Sequence, residues 1–233
     1  MTAPEIDWVS SVLSVDAAFI EAAVSWMRHS EEAFVSYVWA GYDRMSQQRP
    51  AIDGRDLERS ITQLLEGVIR DEMSGDEPYF LQHSPFERET MQPPPAQPPA
   101  YDLAFVFRAD PRVMWPLEAK VLLTPGSLAD YVRDVRDQYL TCRYAPFSPS
   151  GGMLGYLLQG SAESALHNIA TQLHCTLAPL TAFAPRPCAV STHSRTVPVG
   201  KPYPAAFDCH HVVLAFKGLR RKSVKERSTE VDQ

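Results

Sequence analysis

The stretch Val113-Met-Trp-Pro-Leu-Glu-Ala-Lys-Val-Leu-Leu123 constrains this chain more than any other. It is an apolar run broken only by Glu118 and Lys120. Residues two apart on a strand share a face, so these two charges project together from a strand flanked by Trp115, Leu117, Val121, Leu122 and Leu123. Burying a charge without a partner is costly, so whatever fold buries this strand must bring compensating groups to it. The preceding apolar run, Tyr101–Phe107, is separated from it by Arg108-Ala-Asp-Pro-Arg112, a turn signal, and the pair predicts a hairpin. That hairpin brings Asp102 beside Glu118. Pro116 suggests a bulge or a strand edge, because proline cannot donate to a ladder.

The rest of the chain predicts helices packed on a sheet. Residues 1–48 carry apolar side chains three and four apart, including Trp26, Met27, Phe34, Val35, Val38 and Trp39. Asp16 and Ser30 read as N-caps, which predicts two or three helices there. Pro50 ends that pattern. A second amphipathic helix is expected from about Gly54 to Met73, with Leu57, Ile61, Leu65 and Ile69 on its apolar stripe and Ser74-Gly75-Asp76 as its stop. Tyr79–Leu81 reads as a short strand. The tract Met91-Gln-Pro-Pro-Pro-Ala-Gln-Pro-Pro99 reads as a stiff connector. A helix is expected from Thr124 through Leu140, a strand over Gly151–Leu158 and a helix over Ser161–His174. Two last strands follow at Cys188–His193 and His211–Phe216. The expected class is α/β, a mixed central sheet flanked by helices. A helical extension (1–53) precedes a core (54–216) and a basic tail (217–233).

Composition closes off several function classes. The 233 residues are 45% hydrophobic and 21% charged, with no apolar run long enough to span a membrane and no signal-peptide pattern at the N-terminus. The four cysteines are scattered, with no CxxC spacing, which argues against a disulfide scaffold or structural zinc and for a cytoplasmic protein. A net charge of −6 has the wrong sign for coating nucleic acid by bulk charge. A local exception is the stretch from Lys217 to Arg227, which holds six of the 22 basic residues. It reads either as a solvated tail or as an arm that touches phosphates.

Asp102, Glu118 and Lys120 together suit metal-assisted hydrolysis of a phosphodiester. Carboxylates hold Mg²⁺, a hard cation, and the lysine can orient water or stabilise charge developing on the phosphate. On Asp102 and Glu118-Ala119-Lys120 the sequence resembles the restriction-endonuclease-like superfamily, the PD-(D/E)xK nucleases. The predicted order of helix, strand, hairpin, ExK strand, helix and strand is similar to that family's over roughly residues 55–175. One departure is Tyr101, which stands where the literal motif has proline. The resemblance implies a DNA nuclease that uses Mg²⁺, with Mn²⁺ as a substitute, and with Asp102 and Glu118 as metal ligands and Lys120 beside them.

Many such nucleases add a glutamate from the helix before the core. Glu58, Glu66 and Glu72 are candidates, and Glu58 at the start of the amphipathic segment is the choice. Its other reading is a residue that only favours the helix N-terminus. Gln138 is a further candidate for nucleic-acid contact, although Gln138-Tyr139 lacks the Gln-x-x-x-Tyr spacing of the exonuclease branch. Arg133, Arg136 and Arg143 alternate with Asp130, Asp134 and Asp137, which reads as a solvated helix face. His193 and Arg195 read either as phosphate contacts or as hydrogen-bonded residues closing a sheet edge. No Walker loop, GxGxxG or nucleophile elbow is present. The long helical start and acidic charge suggest a homo-oligomer or partner subunits. By analogy, the whole suggests an effector of bacterial anti-phage defence or restriction. Three alternatives remain open: a surface hairpin with an ordinary salt bridge, a non-catalytic interaction subunit that keeps this fold, and an RNA-cleaving enzyme of the same fold.

Overall fold

The computed structural model describes residues 15–87, 89, 90 and 98–217. The proline tract 91–97, most of the basic tail and the first fourteen residues lie outside them. Among the described residues, the stretch up to 48 holds one helix, α1 (Ala17–Gln48), where two or three were expected over 1–48. Asp16 caps it as anticipated, its carboxylate accepting the Phe19 N–H. Ser30 does not cap a new helix. Its hydroxyl donates to the Trp26 carbonyl one turn back, so the helix runs through it. The second helix, α2 (Leu57–Glu72), starts at the Asp56 cap. It lies close against α1 at Gly41, where a β-carbon would come within 2.6 Å of Ile69 and 3.2 Å of Leu65.

Seven strands follow: β1 (Tyr79–His83), β2 (Leu103–Phe107), β3 (Met114–Leu122), β4 (Ser150–Leu157), β5 (Ala178–Pro179), β6 (Cys188–Ser194) and β7 (Ala206–Ala215). They form one mixed sheet in the order β1-β2-β3-β4-β7-β6-β5. The first three strands are antiparallel, β3 pairs in parallel with β4, and β4 in parallel with β7. Between β3 and β4 lies α3 (Ala129–Asp134), which runs on into a π-helical turn over Val135–Tyr139. This helix begins later than the expected Thr124 and is only partly α. The last helix, α4 (Ala162–Leu173), is capped by Ser161. The fold class is therefore the expected α/β arrangement. No helix among the described residues is long and apolar enough to cross a membrane.

Alternation along β3 divides the core into two layers. Trp115, Leu117 and Ala119 join Phe34, Val38, Ile61 and Leu65 beneath α1 and α2. Met114 and Leu122 join Tyr131, Val135 and Ile169 beneath α3 and α4. By the same parity Glu118 and Lys120 emerge on the α3 side. Pro116 lies in a central strand and not at an edge, one residue before the β3–β4 ladder starts at Leu117↔Gly152.

Candidate active site

The register of β3 explains why charge collects there. Its ladder with β2 covers only Met114 to Leu117, whereas its ladder with β4 continues to Leu122. From Glu118 onward one edge of β3 has no strand beside it among the described residues. Backbone N–H groups on such an edge need acceptors. Two carboxylates supply them: Asp102 Oδ2 accepts the Ala119 N–H at 2.7 Å, and Glu58 Oε2 accepts the Val121 N–H at 3.1 Å. Asp102 reaches this place because it immediately precedes β2. Glu58 reaches it from the first turn of α2.

Around the corner, on the α3 face, Lys120 Nζ meets Glu118 Oε1 at 2.6 Å, the Ala119 carbonyl at 2.8 Å and Asp134 Oδ2 at 3.1 Å. Glu58 Oε1 stands further off, at 3.7 Å. Four carboxylates thus surround one ammonium. Glu118 is only 7% exposed, and its Oε2 is buried with no donor from the fold, within reach of the Asp102 carboxylate.

The electrostatics follow from this crowding. Burial, reinforced by the Asp102 charge and only partly offset by Lys120, pushes the Glu118 carboxyl up to about 8. Burial also raises Asp102 and Glu58, against the opposing pull of Lys120 and of the N–H groups they accept. For Lys120, burial works against its charge. The carboxylates of Glu118, Glu58 and Asp102 override it, so the pKa is raised and the side chain stays an ammonium.

Two clefts open onto this wall of carboxylates. One, of about 440 Å³, is lined by Glu58, Lys120, Val121, Ser127 and Tyr131 among others. The other, of about 390 Å³, is lined by Glu58, Arg59, His83, Ser84 and Asp102. Glu58 is shared by both. Glu66 and Glu72, the other acidic candidates on α2, pair with Arg70 and Arg44.

The remaining expected contacts lie elsewhere. Arg195 is 7% exposed, and its guanidinium donates to the carbonyls of Tyr139, Tyr144, Ala145 and Ser148 while stacking over Phe207. It anchors the 139–148 segment. His193 Nε2 is hydrogen-bonded to Ser191 Oγ at 2.7 Å. Gln138 falls in the π-helical turn, where its carbonyl accepts the Tyr144 N–H and its side-chain oxygen is buried without a partner. None of the three is in hydrogen-bonding contact with the carboxylates around Lys120.

Sequence reasoning missed Asp134, which it placed on a solvated face. It is 7% exposed and contacts Lys120. The signal was present: Asp134 lies three residues after buried Tyr131 and one before buried Val135, inside the apolar stripe of α3.

The donor set here is all carboxylate oxygen, which suits a hard divalent cation, and the orphaned Glu118 Oε2 is the sort of atom a cation would satisfy. Even so, no group of three His, Cys, Asp or Glu among the described residues is placed to hold a metal ion as it stands. Lys120 occupies Glu118 Oε1 instead. Comparison with protein-family models, curated proteins and solved structures finds no match to this chain.

Proposed function

We propose that the chain is a Mg²⁺-dependent nuclease that hydrolyses phosphodiester bonds of DNA, with Mn²⁺ able to substitute. The observation that carries this reading is the gathering of Asp102, Glu118, Lys120 and Glu58, from three separate elements, at the open edge of one strand. The order α2–β1–β2–β3–α3–β4 supports it. An antiparallel trio followed by a parallel fourth strand is compatible with the restriction-endonuclease-like core that the ExK resemblance implies.

Asp102 and Glu118 would hold the cation, with Glu58 as the auxiliary ligand. A cation bound there supplies polarisation of the phosphoryl oxygen and a lowered pKa for water. Lys120, kept charged by its neighbours, places a fixed positive charge and N–H donors where negative charge develops on the phosphate. Its contacts with Glu118, the Ala119 carbonyl and Asp134 favour the charged form, so its part is electrostatic.

DNA as substrate comes from the resemblance alone. With a net charge of −6, the surface as a whole repels DNA. Docking therefore falls to local groups, a second copy or partner subunits, as in a defence effector directed by other proteins. The four unpaired cysteines suit a cytoplasmic setting.

A second reading, a non-catalytic interaction subunit, is favoured by one observation. Lys120 is held by Glu118, Ala119 and Asp134, which is as many acceptors as an ammonium has N–H donors. Incubation of the full chain with supercoiled and linear DNA in Mg²⁺ or Mn²⁺ separates the two, with EDTA and Lys120→Ala as controls. Cutting that needs metal and Lys120 is expected. An inert wild type that also takes up no Mn²⁺ by calorimetry would establish the second reading.

A further inference from the structure

The ammonium of Lys120 has three N–H groups, and all three have acceptors at contact distance: Glu118 Oε1, the Ala119 carbonyl and Asp134 Oδ2. In this arrangement Lys120 has nothing left to offer a substrate. Two of the acceptors are fixed differently from the third. The Ala119 carbonyl belongs to the strand itself. Asp134 is carried by α3, whose buried Tyr131, Val132 and Val135 pin it to the sheet. Glu118 is the acceptor with a second use, since its other oxygen is buried, receives no N–H or O–H from the fold and has the Asp102 carboxylate as its neighbour.

Resting on the nuclease reading above, we propose that Asp134 is a positioning residue for Lys120. Should Glu118 serve a divalent cation, Asp134 and the Ala119 carbonyl would keep the ammonium in place. The N–H that Glu118 gave up would then be free for a phosphate oxygen. Without Asp134 the ammonium keeps Glu118 at 2.6 Å and Glu58 only at 3.7 Å, and it follows Glu118. Asp134 touches neither phosphate nor cation and acts only through Lys120. A π-helical turn starts at Val135, the residue after Asp134, and such turns are frequent at functional sites. Arg133 lies 3.8 Å from the other Asp134 oxygen and steadies it from the solvent side.

The test uses wild type, Asp134→Ala and Asp134→Asn, the last keeping an acceptor oxygen at nearly the same volume. The first readout needs no catalysis: the acetylation rate of Lys120 by acetic anhydride in metal-free protein, resolved by peptide mass spectrometry. It should rise several-fold in Asp134→Ala and much less in Asp134→Asn, with Lys201 acetylated at the same rate in all three as the internal standard for folding. The second readout is steady-state cleavage of plasmid DNA in Mg²⁺. Asp134→Ala should lose kcat by about tenfold or more at unchanged KM, and Asp134→Asn should recover most of it.

Equal Lys120 reactivity in all three proteins would overturn the proposal, and so would a loss confined to KM. If wild type cuts no DNA while the acetylation contrast appears, the nuclease reading fails and the hold of Asp134 on Lys120 stands. If wild type cuts DNA and neither variant differs from it, the reverse is true.

Discussion

Two polar clusters are buried under α3, on the same face of the sheet and in the same row of residues. Glu118 on β3 pairs with Met153 on β4, which pairs with His211 on β7, so the two clusters sit two strands apart, about 10 Å. α3 serves both: Tyr131 reaches one and Asp134 the other. In the histidine cluster the Tyr131 hydroxyl meets His211 Nδ1 at 2.8 Å, and Ser191 Oγ meets both His211 Nε2 and His193 Nε2 at 2.7 Å. That chain is closed: each of these buried atoms has a partner from the fold. The lysine cluster is not closed. It is crowded with carboxylate charge and leaves one buried oxygen unused. Both clusters are expensive to desolvate, but only the second has something left to bind with.

If this contrast is right, the two regions should fail in different ways. The largest expected effect is on chemistry. Lys120→Ala or Asp102→Asn should lower DNA cleavage by about 100-fold or more, the size seen when a single electrostatic group is removed from an active site. Circular dichroism should show the fold intact. Cleavage within a few-fold of wild type would end the contrast. Next comes Arg195→Met on the structural side. It strips the donor from four carbonyls and should cost about 3 kcal/mol or more in urea unfolding, because the full desolvation penalty of several polar groups is exposed at once.

The histidine cluster gives a pH signature. Burial, aided by the neighbouring His193 and His210, holds His211 neutral down to about 3. Unfolding lets it take up a proton at the ordinary value, about 6.5. The stability this contributes is therefore complete above pH 6.5 and is lost as pH falls from there toward 3. Acid titration of the melting temperature should be flatter for His211→Gln than for wild type over that window. A cation tests the other cluster. Mn²⁺ at a hundredfold excess over its dissociation constant should stabilise wild type by about 2.7 kcal/mol and should do less for Glu118→Ala. The smallest effect is expected from His193→Ala, whose cleavage rate should stay within twofold of wild type. A large loss there would bring the histidine cluster into the reaction.

Much of the frame was legible because period and turn chemistry are local. The hairpin of 101–123, the α2 stripe, the helix after Ser161 and the ExK pair on one strand face all follow from spacing and turn residues. That Glu58, unlike Glu66 and Glu72, lies near Lys120 was also within reach, since only Glu58 sits in the first turn of α2. What misled was equally local. Ser30 has the chemistry of a cap but lies where packing keeps α1 continuous. Asp134 has the look of a solvated charge because its neighbours Arg133 and Asp130 are one, with their own exposed ion pair.

The sequence by itself determined that a glutamate and a lysine share one face of a buried strand, because a strand alternates with a period of two and nothing else in the chain can change that. It also determined that an acid stands at the start of the partner strand. Tertiary structure alone decided what those charges meet. β2 stops pairing at Leu117, and that ending opens the β3 edge to Asp102 and Glu58. The seating of α3 on the sheet turns Asp134 inward to Lys120. Both depend on contacts between residues far apart in the chain, whose distances no local period encodes.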